Sequence, residues 1–62
     1  MVQMQNRLKI LIADDDGQFS RRAADYLIEH GFDCRFVSSG AEAMRQIKSW
    51  KPRLVLADLI LP

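Results

Sequence analysis

The 62 residues predict an α/β fold, a parallel sheet of three strands with one helix on each face. Three observations carry this. Two short apolar runs, residues 8–13 and 54–57, each stop abruptly at aspartate. Helical periodicity fills the two stretches between strands, and Gly31 and Pro52 punctuate it where helices would end. A strand-helix-strand unit crosses over right-handedly, so three such strands lie parallel in the spatial order 2-1-3.

Taken in order, residues 1–6 are polar and aperiodic and read as a ragged terminus. The first strand covers residues 8–13, where only Lys9 interrupts an apolar run, the mark of a buried parallel strand. A helix over residues 17–30 follows, with Phe19, Ala23 and Leu27 on one face and Ala24 and Ile28 beside it. Gly31 is the natural residue just past its end, and His30 suits the helix's negative terminus. The second strand, residues 32–37, alternates Phe32, Cys34 and Phe36 with Asp33 and Arg35, as a more exposed strand does. Ser39 and Glu42 form a capping box for a second helix over residues 40–50, with Ser38 a competing cap. Its inner face takes Ala43, Met44, Ile47 and Trp50. Pro52 ends it by pushing Lys51 out of the α region. The third strand, residues 53–58, repeats the buried-strand pattern at a sheet edge and stops at Asp58.

Composition bounds the function. One small domain fits in this length, and a chain so short buries only about 60% of the surface its unfolded form exposes. A hydrophobic share of 48% and a charged share of 27% are those of a globular protein. Nine Lys/Arg against eight Asp/Glu leave a net charge of +1 with no basic run, which argues against direct nucleic-acid binding. The single cysteine, Cys34, excludes an internal disulfide and reads as a buried, inert thiol. The apolar stretch near the N-terminus is too short for a signal peptide or membrane span, so the expected location is cytoplasmic.

The chemistry lies in the acids. Asp14, Asp15 and Asp16 follow the first strand and Asp58 follows the third. Adjacent parallel strands end at one edge, where open α/β sheets bind ligands, so these carboxylates converge. Clustered carboxylates repel one another, and a hard cation such as Mg²⁺ relieves the repulsion and adds phosphate oxygens readily. The competing reading is structural: three aspartates after a strand make a polar turn and a helix N-cap.

Residues 8–16 (LKILIADDD) resemble the opening strand and acidic cluster of response-regulator receiver domains. Residues 31–34 (GFDC), 39–44 (SGAEAM) and 52–62 (PRLVLADLILP) are similar to the family's second strand, second-helix entry and phosphoacceptor segment. The resemblance implies a flavodoxin-like doubly wound fold, of which this chain carries a (βα)2β half. It implies that Asp58 accepts a phosphoryl group from a histidine kinase or phosphotransfer protein in a two-component phosphorelay. It also implies that Asp15 and Asp58 bind Mg²⁺ directly, that Asp14 binds it through water, and that the Ile60 main-chain carbonyl is a further ligand. Asp16 falls at a variable position and reads as helix-capping. Arg53 replaces an aspartate common after this proline, at a surface position.

The family has five strands and this chain carries three, so the expectation is one truncated, switch-incompetent receiver domain over residues 1–62 and not an independent enzyme. The hydroxyl residue and the lysine that contact the acyl phosphate in the family are absent. An unpaired apolar third strand seeks a partner. The expectation is a homo-oligomer, most simply a two-fold dimer with strand order 2-1-3-3′-1′-2′, or pairing with a chain that supplies the other half. Two rival readings stay open. A haloacid-dehalogenase-like phosphohydrolase would use Asp14 as nucleophile and Asp16 as acid/base, since residues 10–17 fit its apolar-strand-then-DxDG pattern. A non-catalytic interaction module would keep the acids without the chemistry. A dinucleotide-binding unit is disfavoured, because GxGxxG is absent and three acids would repel pyrophosphate.

Overall fold

In the computed structural model, residues 7–58 are described. They form β1 (Lys9–Ala13), α1 (Gly17–Glu29), β2 (Asp33–Val37), α2 (Gly40–Trp50) and β3 (Leu54–Ala57). The sheet has the order β2-β1-β3, both pairs parallel, as the crossover rule predicts. Ile10 stands opposite Cys34 on one side and Leu54 on the other, and Ala13 opposite Val37 and Ala57. All three strands therefore end at a common rim.

The helix boundaries follow from local chemistry. Asp16 is the N-cap of α1, its Oδ1 accepting the N–H groups of Gln18 and Phe19 at 3.1 Å each. At the other end Gly31 takes φ +93°, a conformation glycine adopts without a Cβ penalty, and the turn brings Phe32 N–H to the Leu27 carbonyl at 3.0 Å. His30 Nδ1 lies 2.8 Å from the Tyr26 carbonyl, satisfying one of the helix's last acceptors. Ser39 caps α2 by accepting the Glu42 N–H at 3.2 Å. The capping box closes one residue early, however: Glu42 Oε1 accepts the Ser38 N–H at 3.1 Å. Lys51 ends α2 at φ 56°, ψ 62°, left-handed where the proline that follows predicts an extended conformation. That turn delivers Arg53 N–H to the Lys9 carbonyl at 2.8 Å and starts β3 beside β1.

The core is centred on β1. Ile10, Leu11, Ile12 and Ala13 are all buried, with Ala24 from α1 and Ala43 and Trp50 from α2. Four expectations are corrected. Phe19 is 54% exposed, and the inner line of α1 runs instead through the small, buried Ser20 and Ala24. Met44 is 53% exposed, leaving Ala43, Ile47 and Trp50 as the inner face of α2. Cys34 is half-buried, on a strand whose alternation is weak. Every residue of β3 is exposed, because among the described residues nothing flanks it beyond β1. No helix among the described residues is long and apolar enough to cross a membrane.

Candidate functional site

The rim is assembled by backbone bonds that carry the ladder one residue past each strand. Asp58 N–H donates to the Ala13 carbonyl at 2.8 Å, and Asp14 N–H donates to the Val37 carbonyl at 3.1 Å. The first fixes Asp58 next to the residue preceding Asp14. The second fixes Asp14 to the other neighbouring strand. Side chains more than forty positions apart in sequence thereby face one another.

Asp14, Asp15 and Asp58 each offer a carboxylate oxygen, and these oxygens all lie within 4.8 Å of one another. Asp14 is half-buried; Asp15 and Asp58 are exposed. Asp14 Oδ1 accepts the Asp16 N–H at 2.9 Å, so the turn itself orients this carboxylate. Asp16 does not join the group, since its carboxylate is directed to the N-terminus of α1. Beside the acids lies an open groove of about 640 Å³, lined by Ile12, Phe19, Ala23, Leu56 and Ala57, with Asp14 and Asp58 at its border. Ile60 lies outside the described residues.

The donor set tests which ion fits. Three carboxylates are hard oxygen donors without nitrogen or sulfur, which suits Mg²⁺ or Ca²⁺ better than zinc. Carboxylates so close repel one another, and a divalent cation removes that repulsion. A phosphate oxygen completes the coordination of such an ion readily.

Away from the rim, Cys34 on β2 has its protonation displaced. Burial, and secondarily the Asp33 carboxylate, push its thiol above the ordinary value, which keeps it protonated and unreactive at neutral pH.

A parallel three-stranded α/β unit with carboxylates gathered from two strand ends defines the class: a module that presents acidic groups at the C-terminal edge of its sheet. No protein-family model matches the chain. The DNA-binding response regulator MtrA of Mycobacterium tuberculosis is 36% identical over 56 residues, 90% of this chain and 25% of that protein. MtrA of Mycolicibacterium smegmatis shows the same identity and coverage. A crystal structure of a signal receiver domain from Vibrio parahaemolyticus, described as that of a Luxo repressor protein, superposes with a TM-score of 0.82 at 28% identity. It covers 90% of this chain and 43% of that one. Over 90% of its length the chain is similar to response-regulator sequences and to a solved signal receiver domain, and it has the (βα)2β part of that receiver fold. It spans about a quarter of the length of the curated relatives it matches.

The site's acids were legible from their places after the first and third strands. Sequence reasoning did not anticipate the groove beside them, because its wall depends on Phe19 turning away from the core.

Proposed function

We propose that the chain is the phosphoacceptor module of a two-component phosphorelay, with Asp58 as the acceptor. The observation that carries this is the meeting of Asp14, Asp15 and Asp58 oxygens within 4.8 Å at the sheet's C-terminal rim. A carboxylate oxygen of Asp58 attacks the phosphorus of a phosphohistidine on a histidine kinase or phosphotransfer protein. The P–N bond breaks, its electron pair stays on the imidazole, and Asp58 becomes an acyl phosphate. Asp15 and Asp58 would hold Mg²⁺ directly and Asp14 through water, with the Ile60 carbonyl as a further ligand. When bound, that ion supplies charge neutralisation at the transferring phosphoryl oxygens. The chain's own contribution is placement: the Asp58 N–H bond to Ala13 and the turn bond to Asp14 hold the acids in register.

The proposal extends to setting and assembly. The 62 residues act as one folding unit in the cytoplasm, where a free Cys34 stays reduced. The exposed β3 edge pairs with a second copy or with a chain that completes the sheet. The phosphohydrolase alternative is weakened by Asp16, whose carboxylate accepts two helix N–H groups and so is not placed as an acid/base.

Acetyl phosphate with Mg²⁺, read by intact mass, tests the assignment. Wild type should gain one phosphoryl group, Asp14→Asn the same group more slowly because a carboxylate that helps hold Mg²⁺ is lost, and Asp58→Asn none. Labelling that survives Asp58→Asn and disappears with Asp14→Asn transfers the role to Asp14 and ends the receiver reading.

A further inference from the structure

The opposite edge of the sheet has its own charge cluster. Arg7, Lys9, Lys51 and Arg53 line one cavity of about 200 Å³ together with Leu8. They come from three places in the chain: the approach to β1, the start of β1, and the turn between α2 and β3. The left-handed Lys51 and the bond from Arg53 N–H to the Lys9 carbonyl bring the last two to the first two. Among the described residues the only ion pair is Arg21–Asp25, so none of the four cations meets a carboxylate. Asp33 stands beside Lys9 in the sheet register without pairing to it. Lys9 is partly engaged, its Nζ donating to the Trp50 carbonyl at 3.2 Å and lying 5.6 Å from the Trp50 ring centroid. The remaining three are exposed.

Four convergent cations that form no ion pair repel one another, and an anion that bridges them reverses the sign of that interaction. The depression is open and small, about 200 Å³, so its four cations converge on a footprint that a compact anion fills. We propose that this edge binds a compact multivalent oxyanion of the pyrophosphate class, through Arg7, Lys9, Lys51 and Arg53. This site is separate from the acidic rim and stands or falls without it. The bland alternative is that these cations only offset the negative end of α2. Under that alternative no ligand saturates the cavity.

Trp50 is the single tryptophan and touches this edge through Lys9, so its fluorescence reports here and not at the acids. The full chain is titrated with pyrophosphate at constant ionic strength, without Mg²⁺. The expected result is a saturable change that Lys51→Gln with Arg53→Gln weakens about tenfold or more. The cations that lie over the Trp50 ring are Lys9 and Arg35, and the double substitution leaves both in place. ADP binding as tightly as pyrophosphate assigns the terminal phosphates of a nucleotide as the source, and weaker ADP binding assigns the free inorganic anion. A response that never saturates, or an affinity the double variant leaves unchanged, overturns the proposal.

Discussion

Ser20 is fully buried on α1, and its hydroxyl finds no hydrogen-bond partner among the described residues. A buried, unsatisfied hydroxyl carries a desolvation cost with nothing to offset it. Ser20→Ala should therefore raise stability by about 1 kcal/mol, measured by urea unfolding. Cys34 gives a second prediction, with its sign set by linkage. A thiol pKa raised on folding means that the native state holds the proton more tightly than the unfolded chain. The stabilisation is complete below the unfolded thiol's pKa, near about 8.5, and is lost as pH climbs through the folded value. Stability should then fall above about pH 8.5, less steeply in Cys34→Ala, and a thiol reagent should modify Cys34 slowly at neutral pH. Neither property was legible in the sequence. Ser20 lies one position from Phe19 on the helix, and periodicity alone favours the larger apolar residue as the inward one. Burial reverses that order: Ser20 is fully buried and Phe19 is 54% exposed.

At the scale of elements, the strands and their order were the most legible feature, because apolar runs ending in aspartate admit few other arrangements. Convergence of Asp14, Asp15 and Asp58 followed from parallel register alone. What escaped was exposure. The LVLA run of β3 reads like that of a strand covered on both faces, yet all four residues are exposed, since a sequence does not state what lies beside it. The turn after α2 was legible as a stop and not as a conformation. A non-glycine residue in the left-handed region is strained, so Lys51→Gly should raise the denaturation midpoint, by about 1 kcal/mol in free energy. A loss of stability would mean that the lysine side chain contributes more at that edge than the strain removes.

For the whole molecule, two opposed forces bear on association. Apolar contact through the β3 edge strengthens in kosmotropic salt, whereas contact between the acidic rim of one copy and the basic edge of another weakens as salt screens it. Sedimentation velocity at rising sulfate concentration separates them. The proposed β3 pairing expects larger species as sulfate increases, and a shift towards monomer would assign end-to-end electrostatic contact instead. A formal charge of +1 conceals how unevenly the charge is spread. With carboxylates at the finish of β1 and cations at its start, the domain is a permanent electric dipole lying along the central strand. An approaching cationic surface would feel a torque before it felt a contact, and would be turned to meet the aspartates first.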